Sequence, residues 1–179
     1  MLEQIAAAFS KIKVGPASER DTQLGPVISA AQRARSEHFV ELAVREGGRV
    51  VAGGKRPPHL DKGYFFEATA LDVPDNSNPA AQEEIFGPVI TVIGYRDLDH
   101  AVAMANDSKY GLSGYVHGLD KARSLKVGLG IRSGTVNVNA GLMSTYISSG
   151  GLRMSGIARE RGVEGLRLYQ NMSVLNFGG

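Results

Sequence analysis

The second half of the chain alternates apolar runs with segments of helical periodicity, and this alternation constrains the fold more than any other feature of the sequence. Residues 88–95 form a continuous apolar run typical of a strand covered on both faces, and apolar residues recur at helical spacing over 98–105. The pattern repeats as a strand at 112–117, a helix at 120–129 and a strand at 131–139. Alternating strands and helices predict an α/β fold with a largely parallel sheet, and right-handed crossovers would place helices on both of its faces.

The first half of the chain carries helix start and stop signals. Apolar residues over 2–12 fall on one helical stripe, which Gly15-Pro16 ends. Ser29 and Gln32 have the spacing of a capping box before a second helix that Gly47-Gly48 should stop. Strands are predicted at 49–52 and at 64–73, where aromatic and β-branched residues are enriched.

The last forty residues begin with a long connection. The segment 140–155 is rich in Gly and Ser and is long for a loop of a compact domain, so we expect it to be either mobile or functional. A short helix at 162–170 and a final strand at 173–177 are predicted after it. With 179 residues and no obvious linker, residues 1–179 are expected to form a single domain.

Composition argues against several classes of function. The 20 Lys and Arg residues nearly balance the 18 Asp and Glu residues, so the net charge of +2 provides no broad field for nucleic acid or an anionic membrane. The sequence contains no cysteine and therefore no disulfide, thiolate metal site or cysteine nucleophile. Its four histidines lack the spacing of a zinc motif, and no metal site is predicted. Without a secretory signal or a long apolar segment, the chain is expected to be cytoplasmic.

Two adjacent carboxylates, Glu83 and Glu84, precede the most apolar strand. Adjacent side chains usually point apart, which makes a shared acid–base or metal site the weaker hypothesis. A single carboxylate can accept hydrogen bonds from both hydroxyls of a ribose, and the neighbouring Phe86 could cover a nicotinamide ring. The alternative, in which Glu84 is solvated and Phe86 belongs to the core, is favoured by composition alone.

Six short motifs follow one another along nearly the whole chain. They are D-T-Q-L-G-P at 21–26, G-Y-F at 63–65, E-E-I-F-G-P-V at 83–89, A-N-D-S-K-Y-G-L at 105–112, G-T-V-N-V-N at 134–139, and G-G-L-R-M-S-G at 150–156 with Arg159-Glu160 beyond it. The chain thus resembles the C-terminal part of an NAD(P)-dependent aldehyde dehydrogenase, covering most of the catalytic domain and the oligomerisation strand.

The resemblance implies roles for particular residues. Glu84 would hold the nicotinamide ribose and Phe86 would pack near the ring. The loop 140–155 would contribute to the aldehyde channel, and the strand 173–177 would serve in oligomerisation. The channel residues implied in this way are Asn137, Asn139, Ser148 and Ser149. Ser148-Ser149 replaces the Pro-aromatic pair common in the family, which indicates a more polar substrate. Asn137 stands where many members carry tryptophan.

The resemblance also implies a reaction. In the family, a cysteine thiolate attacks the aldehyde, hydride passes to NAD(P)+, and a glutamate-activated water hydrolyses the thioester. The nucleophile, the general base and the Rossmann unit belong to a part of the family that this sequence does not contain. The chain alone is therefore expected to be inactive and to bind NAD or NADP weakly or not at all, with an aldehyde as substrate of the complete homo-oligomeric enzyme. The alternative is a non-catalytic association module that pairs with other subunits through its C-terminal strand.

Overall fold

The computed structural model describes residues 1–139 and 144–178. Within the expected domain the chain forms two compact units, Met1–Gly94 and Tyr95–Gly179. In the described ranges, no helix has both the length and the apolar character that crossing a bilayer requires.

The first unit contains three helices and a three-stranded sheet. In chain order its elements are α1 (Leu2–Phe9), α2 (Ala30–Arg45), β1 (Arg49–Ala52), β2 (Thr69–Asp72), α3 (Pro79–Gln82) and β3 (Val89–Val92). The strand order is β1-β2-β3, with β1 antiparallel to β2 and β2 parallel to β3.

Helix α2 begins and ends where its sequence signals predict. The Ser29 Oγ accepts a hydrogen bond from the Gln32 backbone N–H at 3.1 Å, which confirms the predicted cap. At the other end Gly47 adopts a left-handed φ of 86°, and the Gly48 N–H donates to the Ala43 carbonyl at 2.8 Å. Glycine suits this stop because a Cβ is unfavourable at positive φ.

The core of the first unit forms between α2, the sheet and the loop that follows α3. Its buried members are Phe39, Val40, Ala43, Phe66, Leu71, Val73, Ala80 and Ile85. Phe66 and Leu71 are completely buried. Ile85 belongs to the predicted cofactor motif, so that motif is anchored directly in the core.

The second unit contains the strand–helix alternation that the sequence predicts. Its elements are α4 (Leu98–Asn106), β4 (Ser113–Val116), α5 (Lys121–Gly130), β5 (Thr135–Val138), a short 3-10 helix (Arg153–Ser155) and α6 (Gly162–Arg167). Strands β4 and β5 pair in parallel, with Ser113 opposite Thr135. Helix α5 crosses closely over this pair, since a Cβ at Gly128 would lie 2.7 Å from Val138 Cγ2.

The α/β class with parallel strand pairs is confirmed, but several predicted strands were too long. The predicted strand 64–73 shortens to Thr69–Asp72, because residues 64–68 pair with no strand. Helix α3 was missed, although Asn78 caps it and Pro79 stands at its first position, a recognisable start signal.

The predicted strand 173–177 is not formed within this chain. Residues 171–178 are exposed and belong to no helix or strand. A strand requires a partner for its N–H and C=O groups, and these residues have no such pairing among the described residues. Their role in oligomerisation remains a prediction about a second chain.

Candidate functional site

The predicted cofactor residues lie on a short loop between α3 and β3. Ile85 is buried in the core, whereas its neighbours Glu84 and Phe86 are exposed, Phe86 to 73%. Phe86 has a left-handed φ of 57°, a conformation that residues other than glycine adopt rarely. The alternative that Phe86 is a core residue is therefore wrong, because Ile85 takes the buried position and the Phe86 ring faces solvent.

Two side chains of α2 hold the backbone of this loop. The Gln32 amide donates to the Ile85 carbonyl at 2.9 Å and to the Phe86 carbonyl at 2.6 Å. The Arg35 guanidinium donates to the Glu84 carbonyl through Nη2 at 2.6 Å and to the Ile85 carbonyl through Nε at 3.2 Å. Three successive carbonyls are thus fixed by one helix, while the side chains of Glu84 and Phe86 remain exposed.

Sequence reasoning did not find Gln32 and Arg35 as supports of this site. Their separation of three residues, which places both side chains on one face of α2, was the available signal. Their partners are about fifty residues away in the sequence, so only the folded chain reveals the contact.

Gly87 allows the loop to approach α2 closely. A Cβ at Gly87 would lie 2.2 Å from the Oγ of Ser36, a completely buried residue. The Ser36 Oγ donates to the Gln32 carbonyl at 3.1 Å, so the hydroxyl cannot move freely. Packing against Ser36 therefore favours glycine at position 87 of the motif.

The second unit contains a small cavity beside β5, with a volume of about 180 Å³. Two of its lining residues, Val136 and Ile147, are apolar. The others are polar: Thr135, Asn137, Ser144, Ser148, Ser149 and Arg161. Three of the four predicted channel residues thus meet at one cavity.

A pair of backbone hydrogen bonds shapes this cavity. The Ser149 N–H donates to the Glu160 carbonyl at 2.8 Å, and the Glu160 N–H donates back to the Ser149 carbonyl at 2.7 Å. The Gly162 N–H also donates to the Thr145 carbonyl at 3.3 Å. Segment 144–149 is therefore fastened to the start of α6, and this contact brings Arg161 to the cavity, a residue that sequence reasoning missed.

Asn139, the fourth predicted channel residue, does not line this cavity. Its side-chain amide accepts from the Gly118 N–H and donates to the Gly118 carbonyl, both at 2.8 Å. These bonds secure the turn after β4. Residues 140–143 of the predicted channel loop lie outside the described residues.

No cluster of three or more His, Asp or Glu side chains suited to a metal ion occurs in the part of the chain that the structure describes. Each unit thus has a candidate site of its own. In the first unit it is the Glu84–Phe86 loop, and in the second it is the polar cavity.

Comparison with known proteins decides the family. The profile described as the aldehyde dehydrogenase family matches residues 1–175. The chain belongs to the aldehyde dehydrogenase family. The resemblance carried by the six motifs is thereby confirmed.

Curated relatives of this aldehyde dehydrogenase chain are considerably longer. A putative aldehyde dehydrogenase of Staphylococcus saprophyticus is 44% identical over 169 residues, which are 94% of this chain and 36% of the relative. A putative aldehyde dehydrogenase of Staphylococcus epidermidis is 43% identical with the same coverage. The chain thus spans about 36% of the length of these relatives.

Solved aldehyde dehydrogenases share the fold. Betaine aldehyde dehydrogenase of Staphylococcus aureus, in complex with NAD+, matches 99% of this chain and 38% of its own with a TM-score of 0.90 and 36% identity. Mycobacterium tuberculosis aldehyde dehydrogenase, also complexed with NAD+, matches 94% of this chain and 36% of its own with a TM-score of 0.88 and 41% identity. The predicted catalytic-domain fold is confirmed.

Proposed function

We propose that this chain forms the C-terminal part of an NAD(P)-dependent aldehyde dehydrogenase that oxidises an aldehyde to a carboxylic acid. The observation that carries the proposal is that Glu84 and Phe86 are both exposed on a loop whose backbone α2 holds by hydrogen bonds. The family membership and the NAD+ complexes of two structural neighbours support it.

The loop residues fit a nicotinamide nucleotide. Glu84 offers carboxylate oxygens that accept hydrogen bonds from the two hydroxyls of a ribose. Phe86, exposed to 73% and held there by its backbone, offers a flat apolar surface for a nicotinamide ring. When bound, NAD(P)+ supplies the hydride acceptor.

Hydrogen bonds from side chains of α2 to the loop backbone position the loop for ligand binding. Because Gln32 and Arg35 fix three successive carbonyls, Glu84 and Phe86 are ordered before any ligand arrives. Preorganisation of this kind reduces the entropic cost of binding. In the other unit, Asn137, Ser148 and Ser149 provide hydrogen-bonding groups for the aldehyde.

These 179 residues do not oxidise aldehydes on their own, in our proposal, because the family reaction passes through a cysteine thioester and the sequence contains no cysteine. To test this, the purified chain is incubated with NAD+ and several aldehydes while NADH absorbance is followed. We expect no signal above a heat-denatured control, and turnover would contradict the proposal.

A chimaera tests the positive half of the proposal. Residues 1–175 replace the matching region of the Staphylococcus saprophyticus relative, which retains its remaining sequence. We expect NADH formation from aldehydes, and Glu84→Ala in the chimaera should raise the KM for NAD+ by about tenfold or more through loss of charge-assisted hydrogen bonds. A folded chimaera without activity would refute the function.

A second candidate function is a non-catalytic association module. The observation that favours it is the exposed apolar tail, in which Val174, Leu175 and Phe177 are 76%, 85% and 94% exposed. Such a segment can add a strand to the sheet edge of another subunit. Size-exclusion chromatography with the full-length relative tests it, and absence of a mixed species, or a mixed species that persists after deletion of 173–177, would argue against it.

A further inference from the structure

Two of the six motifs, 105–112 and 150–156, lie together in the second unit and bind each other. The Gly111 N–H donates to the Ser155 Oγ at 3.1 Å, and the Gly111 carbonyl accepts from the Leu152 N–H at 2.9 Å. The first of these motifs forms the connection between α4 and β4. The segment that follows the serines of the polar cavity is thereby bound to this connection.

Arg153 adds a charged contact between the same two motifs. Its Nη1 donates to the Asn106 carbonyl at 2.8 Å and also to the Ser108 carbonyl, just where α4 ends. Hydrogen bonds from a guanidinium are stronger than those between neutral groups. Arg153 also has a left-handed φ of 57°, which is unfavourable for a residue with a Cβ and persists only when its surroundings hold it.

The start of β5 is fixed to the same connection between α4 and β4. The Asn106 side chain accepts from the Arg132 N–H at 2.7 Å and donates to the Gly130 carbonyl at 2.8 Å. The Gly134 N–H donates to the Gly111 carbonyl at 3.0 Å. One carbonyl therefore accepts from the residue before β5 as well as from the segment that follows the cavity.

Two sides of the polar cavity thus share one anchor. Thr135 and Asn137 line the cavity from β5, and Ser148 and Ser149 line it from the segment that precedes Arg153. Because both segments are bonded to the α4–β4 connection, the distance between these two sides depends on those bonds. The guanidinium supplies the charge-assisted bonds on the side of the two serines.

We infer that Arg153 is a positioning residue, which holds Ser148 and Ser149 at a fixed distance from β5 and thereby orients the aldehyde. The inference rests on the proposed function, in which these serines bind the aldehyde. Arg153 is not among the described residues that line the cavity, so it acts through the backbone. A displacement of about 1 Å in a binding site can cost on the order of 100-fold in rate.

Kinetics of the chimaera that contains residues 1–175 test this role, with propanal as the probe. Arg153→Met should raise the KM for propanal by about fivefold or more, because the serines are no longer held. The KM for NAD+ should change by less than about twofold, since the contacts of Arg153 named above do not involve the Glu84–Phe86 loop. Arg153→Lys, which keeps a cationic donor, should restore most of the propanal KM.

The kinetic pattern separates positioning from a merely structural role. A structural defect reduces the amount of folded enzyme, which lowers kcat and leaves both KM values unchanged. Arg167→Met, which removes an exposed charge in the last turn of α6, is the matched control and should behave like the unmodified chimaera. An unchanged propanal KM in folded Arg153→Met, or the same rise in Arg167→Met, would overturn the inference.

Hydrogen exchange tests the same contact on the 179-residue chain without any activity. The Leu152 N–H is bonded to the Gly111 carbonyl, so its exchange reports whether the segment is held. We expect peptides that cover 148–152 to exchange about fivefold faster or more in Arg153→Met, with α5 unchanged, as measured by mass spectrometry. Equal acceleration in α5 would indicate general destabilisation and would contradict the positioning role.

The two experiments distinguish this inference from the proposed function. If the unmodified chimaera oxidises propanal and Arg153→Met leaves its KM unchanged, the function stands and the positioning role is wrong. If the unmodified chimaera is folded but inactive, while exchange at 148–152 accelerates in Arg153→Met alone, Arg153 holds the segment as inferred and the proposed function is wrong.

Discussion

Gly87 shows how one absent side chain determines the geometry of the candidate site. The loop that carries Glu84 and Phe86 reaches α2 only because nothing occupies the space beside Ser36. Phe86, one residue earlier, accepts an unfavourable left-handed backbone so that its ring remains outside the core. At both positions the geometry of the loop overrides the local conformational preference of the residue.

Substitution of Gly87 tests this close contact. Gly87→Ala should lower the free energy of unfolding by about 1–3 kcal/mol, because overpacking forces the loop or Ser36 to move. Ser36→Ala in the same chain should recover much of that loss, since the new Cβ would then face Ser36 Cβ at 3.4 Å instead of Oγ at 2.2 Å. Urea denaturation measures both effects.

Gly94→Ala is the matched control, because a Cβ there has no neighbour within 4 Å. We expect its unfolding free energy to stay close to that of the unmodified chain. An equal loss in Gly94→Ala and Gly87→Ala, or no recovery in the double variant, would show that the Ser36 contact is not the cause.

The ion pair of Glu37 with Arg56 makes the stability of the chain depend on pH. Hydrogen bonds from Arg56 Nε and Nη2, at 2.5 and 3.0 Å, lower the pKa of the Glu37 carboxyl below its usual range. A lowered folded-state pKa stabilises the protein above the unfolded pKa of about 4.3, and this contribution is lost as pH falls through the folded value.

Glu37→Gln should therefore cost about 0.5 kcal/mol near neutral pH, a small value because the pair is partly exposed to solvent. The difference from the unmodified chain should disappear in acid. Thermal unfolding between pH 3 and pH 7 measures it, with Glu41→Gln on an exposed site of the same helix as control. A loss that persisted at pH 3 would show that charge is not responsible.

At the scale of elements, helix α2 has two structural roles, which the periodicity of its sequence does not distinguish. Its buried side, with Phe39, Val40 and Ala43, packs in the core. Its first turns hold the Glu84–Phe86 loop through Gln32 and Arg35. The helix therefore links the hydrophobic core to the candidate nucleotide site.

Removal of the Gln32 amide should loosen the loop. Gln32→Leu eliminates two hydrogen bonds to backbone carbonyls, and at 0.5–1.5 kcal/mol each we expect a loss of about 1–2 kcal/mol. Hydrogen exchange measured by mass spectrometry should become faster around Phe86 and Gly87. Gln4→Leu, on an exposed position of α1, is the control, and identical exchange in both variants would contradict the positioning role.

At the scale of the whole molecule, the two units differ in how many apolar side chains they bury. Among the described residues, the buried apolar side chains, from Val14 to Ile85, all lie in the first unit. In the described part of the second unit only Gly111, Ser124, Gly128, Gly151 and Gly165 are buried. This part of the second unit thus lacks the apolar burial that stabilises a domain.

Separate expression of the two units tests this imbalance. Residues 1–94 should unfold cooperatively in urea, because their core is complete, whereas residues 95–179 should show a broad transition and bind a hydrophobic dye. Circular dichroism and dye fluorescence distinguish them. A sharp transition for 95–179 would mean that its stability has another source.

The sequence by itself predicted the α/β class and both ends of α2, because periodicity, capping residues and glycine stops act over a few neighbouring positions. It predicted the family through the resemblance of its six motifs. It also selected Glu84 and Phe86, and three of the residues that line the polar cavity, Asn137, Ser148 and Ser149. The shortened strands and the unpaired 173–177 segment could not be predicted, since pairing depends on a partner distant in sequence or in another chain.

Only the tertiary structure revealed which residues support the site. Gln32 and Arg35 are far in sequence from the carbonyls that they bind, and Arg161 reaches the cavity through backbone bonds between Ser149 and Glu160. Such contacts join segments that are distant in sequence, and no local sequence pattern predicts them. The sequence determined what the loop contains, and packing against α2 determined which side chains face outward.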